Sequence, residues 1–217
     1  MTTLTRSVLD RELQDLDDRI LLMGSMVDKA IEDAMNALYS RDKALAQNVV
    51  LGDLAVNDVR YRIEMESLKI LATQQPMASD LRQIIAAIHI AVELERIGDH
   101  AGDIASLAAR LGDEGEFDTL HKLPKMAKRA QEMVRTGVDA YVARDAELAR
   151  KIIGKDAKID RQYYQLRHEV REEMNEADYI RRASFLLWVG HDLERIGDRA
   201  TNIAERVIFM ATGEFVA

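Results

Sequence analysis

A chain of 217 residues that is 47% apolar can bury a substantial core, as one large domain or as two small ones. Its charged residues (31%), scarce aromatics (5%) and two prolines favour long helices and offer a β-sheet few partners. We therefore predict an all-α fold. A net charge of −8 disfavours nucleic acid as the main partner, because phosphate backbones require clustered Lys and Arg. The same charge suits cations or a basic protein surface.

The absence of cysteine excludes disulfides and thiolate metal sites, and it fits a reducing cytoplasm. The first residues are polar and acidic and have no apolar segment typical of a signal peptide. No stretch approaches the roughly 18 uninterrupted apolar residues of a membrane span. We expect a cytoplasmic protein that does not insert into the membrane and that contacts it only through a partner.

Apolar periodicity predicts six helices along the chain. Pro76 and Pro124 suit the first turn of the third and fourth helices, because a proline is tolerated there. The segment 112–123 is rich in Gly and acidic residues and is predicted to be a linker. The predicted helices are 9–40, 41–72, 76–111, 124–143, 144–176 and 178–210.

The second half of the chain repeats the first. The block ELERIGD at 93–99 recurs as DLERIGD at 192–198, with six identities in seven positions. Upstream matches keep the same order: Arg41-Asp42 with Arg144-Asp145, Asp53 with Asp156, and Tyr61 with Tyr164. The predicted organisation is therefore a three-helix repeat over 1–111, a linker over 112–123 and a second repeat over 124–217.

Acidic side chains form a row on the third helix and a matching row on the sixth. The apolar seam of the third helix has alternating spacings of four and three, which is typical of a helix in a bundle. The acids recur every four residues on the other side, about 6 Å apart along the axis. We therefore expect surface ridges, made of Glu95, Asp99 and Asp103 in the first repeat and of Glu194, Asp198 and Asn202 in the second.

The second and fifth helices carry a shorter polar pair, Asp53 with Asn57 and Asp156 with Asp160. A short connection near residue 75 predicts that the second and third helices are antiparallel neighbours. Asn57 lies 18 residues before that point and Glu93 lies 18 after it. Around residue 177 the same count is 17 on both sides, to Asp160 and Glu194. The acidic rows of each hairpin should therefore meet at one height.

Crowded carboxylates repel one another unless cations neutralise them. Oxygen ligands without sulfur suit Mg, Mn or Fe, and Zn also accepts carboxylates. Asn57 and Asn202 are neutral, so their amide oxygens would coordinate more weakly. A solvated face without an ion stays an alternative, because Arg96 and Arg195 could pair with the acid three residues on. In that case the ridges, with these arginines, would form a partner-binding surface.

Motifs of catalysis are absent from the sequence. None of the histidines forms the Glu-x-x-His pair of a ferritin-like di-iron centre, and no activated nucleophile is evident. Trp188 is expected to pack inside the second bundle. A metal-dependent enzyme would need an enclosed pocket, which acids on an outer ridge do not provide. We expect an adaptor, with a carboxylate-bridged enzyme or a purely structural helical dimer as the alternatives.

The duplicated Glu-Arg-Ile-Gly-Asp block, with Asp-x-x-x-Asn and Asp-x-x-x-Asp upstream, resembles the PhoU family over essentially the whole chain. Gln75-Pro76 and the SDLR segment at 79–82 resemble that family's entry into its third helix. The resemblance implies two three-helix bundles related by a pseudo-twofold axis, a homodimer, and metal ions at the acidic motifs. It carries over to Asp53, Asn57, Glu95, Asp99 and Asp103, and to Asp156, Asp160, Glu194, Asp198 and Asn202.

The same resemblance implies a function. Members repress phosphate uptake and the phosphate-starvation response when phosphate is plentiful. The resemblance also implies that they link the ATPase of the phosphate-specific ABC transporter to a membrane sensor histidine kinase. We therefore expect a non-enzymatic regulator in the cytoplasm, peripheral to the inner membrane through these partners.

Overall fold

The computed structural model describes residues 2–111, 122–173 and 177–216, and within them it contains helices and short turns but no strand. The all-α prediction is confirmed. No helix in these ranges is long and apolar enough to cross a membrane. The helices are α1 (Thr2–Ser40), α2 (Lys43–Gln74), α3 (Ser79–Leu111), α4 (Leu123–Ala143), α5 (Ala146–Glu173) and α6 (Ala177–Thr212).

The same turn joins the first two helices of each repeat. Arg41 and Arg144 have φ angles of 56° and 54°, in the left-handed region, and so end α1 and α4. The aspartate that follows each of them, Asp42 or Asp145, accepts a hydrogen bond over 2.9 Å from the backbone N–H three residues on. This N-cap satisfies a donor that the first turn of the next helix leaves free. The matched Arg-Asp pairs are therefore equivalent hairpin turns.

Helix α3 begins at Ser79, three residues later than the predicted start at Pro76. Gln75 and Ala78 both have φ of 49°, and these left-handed residues bracket the proline and delay the helix. The predicted linker 112–123 lies outside the described residues from 112 to 121, and α4 already includes Leu123. The predicted end of the fifth helix, 174–176, also lies outside them.

The predicted seams of α3 and α6 form the centre of the core. Every seam residue of both helices is buried, from Ile90 to Leu111 and from Val189 to Met210. Helix α3 packs against α1, α2 and α6, and α6 packs against α4, α5 and α3. Two three-helix bundles, related by a pseudo-twofold axis, are thus joined along α3 and α6.

Trp188 does not pack inside the second bundle, contrary to the prediction. It is 59% exposed, because it precedes the seam residue Val189 and so lies on the flank of α6. There it lines a cavity of about 630 Å³ between α3 and α6, together with Arg110 and Phe185.

Candidate metal sites

The first acidic cluster joins α2 to α3 through Asp53, Asn57, Glu95 and Asp99. A Cβ on Gly98 would lie 3.4 Å from Asp53 Oδ1, so the glycine lets this carboxylate approach α3 closely. The Asn57 amide donates to Asp53 Oδ2 over 2.8 Å. Asp53 Oδ1 is buried and has no hydrogen-bond partner among the described residues. This oxygen is therefore free to coordinate a cation.

Negative charge is in excess at this cluster. Burial, and then the Asp99 carboxylate, raise the pKa of Asp53. Burial and Asp99 also raise the pKa of Glu95, while the Arg60 guanidinium opposes them. Raised carboxyl pKa values show that the ionised forms lack sufficient compensation.

Arg60 is a residue of this cluster that the sequence reasoning missed. Its Nε lies 3.7 Å from Glu95 Oε1, and its Nη1 donates to Glu64 over 2.6 Å. It follows Asn57 by three residues, so helical spacing alone could have placed it on the same face. The first cluster thus contains its own partial counter-charge.

The second acidic cluster joins α5 to α6 and is tighter. Asp156, Asp160 and Asp198 each offer a carboxylate oxygen, and the three oxygens lie within 4.8 Å of one another. A Cβ on Gly197 would lie 3.6 Å from Asp156 Oδ1, which repeats the role of the first repeat's glycine. Asp156 Oδ1 is also buried without a partner among the described residues. The donor set fits a hard divalent cation held by oxygen.

Crowding is strongest at Asp156. Burial, followed by the charges of Asp160 and Asp198, raises its pKa to about 6. Burial and Asp198 also raise the pKa values of Asp160 and Glu194. Glu194 lies beside the three aspartates, and its Oε2 is 3.3 Å from His191 Nδ1.

The two motif arginines behave differently. Arg195 Nη1 pairs with Asp198 Oδ2 over 3.0 Å, as the spacing of three residues allows. Arg96 is exposed, and among the described residues it forms no ion pair with Asp99. Pairing within the motif therefore neutralises one carboxylate of the second repeat and none of the first.

Asp103 and Asn202 do not join the clusters to which they were assigned. Asp103 lies with His100 and Asp192, and their ligand atoms are within 4.8 Å of one another. Asn202 donates to Glu93 Oε2 over 3.2 Å. The physical reason is helical drift: each step of four residues turns about 40° beyond a full circle, so the third member of each row turns towards the α3–α6 interface.

These interface groups are equivalent in position and different in chemistry. In one copy Glu93 faces Arg199, whose Nη1 is 3.5 Å away, and the Asn202 amide. In the other copy Asp192, which is buried, faces His100 Nδ1 at 3.2 Å and the Asp103 carboxylate. Burial, and then Asp192, raise the pKa of Asp103. An arginine neutralises the first trio, whereas the second has only an imidazole.

A similar difference separates the metal clusters. The residue of the second repeat that corresponds to Arg60 is Tyr163, whose phenol pKa is raised by burial. The second cluster therefore lacks the guanidinium that stands beside Glu95. It retains three close carboxylates, of which only Asp198 pairs with an arginine of the motif.

The domain model described as "PhoU domain" matches residues 20–108 and 123–207, one match for each repeat. The chain belongs to the PhoU family. It is 40% identical over 204 residues to the "Phosphate-specific transport system accessory protein PhoU homolog" of Pseudomonas aeruginosa, covering 93% of this chain and 84% of the relative. It is 35% identical to the Clostridium acetobutylicum protein of the same description, covering 98% of both chains.

Solved structures give the same answer for the fold. The crystal structure of PhoU from Pseudomonas aeruginosa superposes with a TM-score of 0.89 at 39% identity, covering 94% of this chain and 99% of that one. The phosphate transport system regulatory protein PhoU from Streptococcus pneumoniae superposes with a TM-score of 0.90 at 32% identity, covering 96% and 99%.

Proposed function

We propose that this protein is a metal-binding accessory regulator of phosphate-specific transport. Its relatives are named as accessory proteins of that transport system and match it over nearly their whole length. In this role the protein represses phosphate uptake and the starvation response. It acts as a homodimeric adaptor between the ATPase of the phosphate ABC transporter and the sensor histidine kinase, at the inner membrane through these partners.

The observation that carries the metal proposal is the second cluster. Three carboxylate oxygens lie within 4.8 Å of one another, and the buried Oδ1 of Asp156 has no other partner in the described chain. Arg195 pairs only with Asp198, and a bound divalent cation would supply the positive charge that Asp156 and Asp160 lack. Mg, Mn, Fe and Zn all suit such oxygen donors.

The first cluster is expected to bind the same ion more weakly. Asn57 replaces the aspartate found at 160, so one ligand is neutral. Arg60 adds a positive charge near Glu95, which repels an incoming cation. Asp53, Glu95 and Asp99 are the residues that would hold the ion there.

Metal binding can be measured directly on protein purified without chelators or an affinity tag. We expect bound metal in the parent protein and binding of added Mn at the second cluster. Substituting a residue that hydrogen-bonds to a metal ligand weakens metal affinity roughly 10–100-fold, and removing a ligand itself should weaken it at least as much. Asp156→Asn should therefore weaken binding on the order of tenfold or more, whereas the exposed control Glu147→Gln should leave it unchanged. Absence of binding after incubation with Mg, Mn, Fe and Zn would refute the metal proposal.

The regulatory part is tested in cells that lack the protein and carry a reporter of the phosphate-starvation response. The parent gene should restore repression at high phosphate. The combined variant Asp99→Asn and Asp198→Asn should restore it poorly and should bind the kinase and the transporter ATPase less. Full repression by that variant would separate the signalling role from the acidic clusters.

A further inference from the structure

An exposed row of large apolar side chains runs along the outer face of α2. We call it the α2 stripe. The inner face of the same helix, from Ala46 to Ile70, is buried against α1 and α3. The outer positions repeat with the spacings of three and four that a packed helix shows, interrupted once by Asp58. The stripe consists of Leu51, Leu54, Tyr61, Met65 and Leu68, which are 66%, 69%, 56%, 65% and 57% exposed.

This concentration differs from the isolated apolar residues of ordinary surfaces. Five large side chains, each more than half exposed, lie within roughly 26 Å of one helix. Single exposed leucines need no explanation, but a row of large apolar side chains with a polar border is typical of an interaction site. Its length equals that of about five helical turns, which suits a partner helix lying alongside.

The second repeat provides an internal comparison. Helix α5 buries the same seam, with Ile152, Ile159 and Leu166 in place of Val49, Val56 and Ile63. Its outer face nevertheless lacks the stripe. The positions equivalent to the five stripe residues are Gly154, Ala157, Tyr164, His168 and Arg171. An α-helix of this bundle therefore folds without an apolar outer face, so the core does not require the α2 stripe.

Charge around the stripe indicates what would cover it. An open groove of about 700 Å³ runs beside Leu51, Leu54 and Tyr61 and is bordered by Asp58 and Glu95. Glu95 also adjoins Asp99 and Asp53, so the middle of the stripe lies next to the first acidic cluster. Two copies packed stripe to stripe would bring these carboxylates together, in a chain of net charge −8. Arg60, whose Nε is 3.7 Å from Glu95 Oε1, compensates that carboxylate only in part, so a basic partner is complementary instead.

We propose that the α2 stripe docks an amphipathic helix of a partner protein, with apolar residues at heptad spacing and Lys or Arg facing Asp58 and Glu95. The partner helix would bury the leucines and the ring of Tyr61, and its cations would meet the groove's carboxylates. This inference rests on the proposed adaptor role and assigns the contact to the first repeat. It requires no bound metal.

The test uses the full chain, treated with chelator, and two synthetic peptides. The first peptide is an amphipathic helix of 21 residues with leucines at heptad spacing and lysines on both borders. The second is identical except that glutamates replace the lysines. Binding is followed by fluorescence anisotropy. The stripe variant is Leu54→Gln with Leu68→Gln, and the matched control is Ala157→Gln with Arg171→Gln at the equivalent positions of α5.

We expect the lysine peptide to bind the parent protein, and the stripe variant to bind it about tenfold more weakly or worse. Glu95→Gln should weaken it severalfold, and the glutamate peptide should bind poorly. The α5 control should behave like the parent. Because the substituted leucines are exposed, the helical circular dichroism of all variants should match. A single-leucine variant, Leu54→Gln, gives a second test should the double variant fold poorly.

Equal weakening by the stripe variant and the α5 control would overturn the proposal, as would absence of binding by the parent. Equal binding of both peptides would overturn the basic character of the partner. Sedimentation velocity tests whether a second copy of this chain covers the stripe instead. If the parent is a dimer and the stripe variant a monomer, the stripe is a dimer interface and the partner-helix proposal is refuted. None of these results affects the metal test, since every measurement is made without metal.

Discussion

Neutralising Asp156 should stabilise the metal-free protein at neutral and alkaline pH. This half-buried carboxylate lies against Asp160 and Asp198, and burial and these charges raise its pKa from 3.8 to about 6. Near pH 8 it must ionise at an unfavourable site. Asp156→Asn keeps the shape of the side chain and removes that charge. The variant should therefore be more stable than the parent after chelator treatment.

The magnitude follows from the pKa. The rise from 3.8 to about 6 corresponds to about 3 kcal/mol at most, at about 1.4 kcal/mol for each pH unit. Asp156 is partly exposed, so water screens much of this, and we expect about 1 kcal/mol. For a chain of this size that free energy raises the midpoint of thermal unfolding by about 2–4 °C.

The pH dependence has a defined sign. Because the folded pKa lies above the unfolded pKa, the folded state binds more protons than the unfolded state between about pH 4 and pH 6. The free energy of unfolding of the parent therefore falls as the pH rises through that window and Asp156 ionises in the folded state. The advantage of Asp156→Asn should be full near pH 8 and nearly absent near pH 3, below the unfolded pKa. Thermal unfolding followed by circular dichroism at both pH values measures it, with Glu147→Gln as the exposed control.

Two results would refute the reasoning. A variant that is less stable than the parent near pH 8 would show that Asp156 forms a favourable contact in the ionised state. An equal gain at both pH values would show that the effect is not electrostatic. Added Mn should stabilise the parent more than the variant, which links the same residue to ion binding.

Three further predictions concern other parts of the chain. Arg60→Gln should strengthen Mn binding at the first cluster, because it removes the cation beside Glu95. Calorimetric titration of a protein that also carries Asp156→Ala and Asp198→Ala, and so lacks two ligands of the second cluster, measures that site. Gly190→Ala should lower the free energy of unfolding by about 1–2 kcal/mol, because its Cβ would lie 2.6 Å from a Leu166 methyl group. Gly154→Ala has open space around its Cβ and should raise that free energy by up to about 1 kcal/mol. Urea unfolding measures both variants. Asp192→Ala should cost about 1–2 kcal/mol in the same assay, since it removes the acceptor of His100.

Periodicity and duplication were sufficient to predict the core and the height of the acids. The alternating seam from Ile90 to Leu111 is buried as expected, because a long helix with one apolar face packs that face against the core. Counting residues around a short turn placed Asp53 near Asp99 and Asp156 near Asp198. In each pair the charge of the aspartate on the later helix raises the pKa of the aspartate on the earlier one.

The features that the sequence did not predict depend on the rotation of each residue about its helix axis and on contacts with helices outside its own hairpin. Asp103 belongs to the same row as Glu95 in sequence, yet the drift of each helical step brings it to His100 across the interface. Trp188 is predicted to pack inside the second bundle, yet its position flanks the seam and leaves it exposed. The α2 stripe escaped notice because an apolar residue on a helix suggests burial until its neighbours are known.

Comparison of the two repeats separates what the fold needs from what function adds. Positions that build the core keep their character, as Val56 and Ile159 do, because a packed interior tolerates little change in volume. Positions outside the core are free to differ: the half-buried Arg60 corresponds to Tyr163, and the exposed Leu54 corresponds to Ala157. Under the two proposals the repeats therefore have different roles. The second repeat, which has three close aspartates and Tyr163 in place of Arg60, holds the ion more tightly. The first repeat, with its partly compensated acids beside the α2 stripe, presents the partner surface.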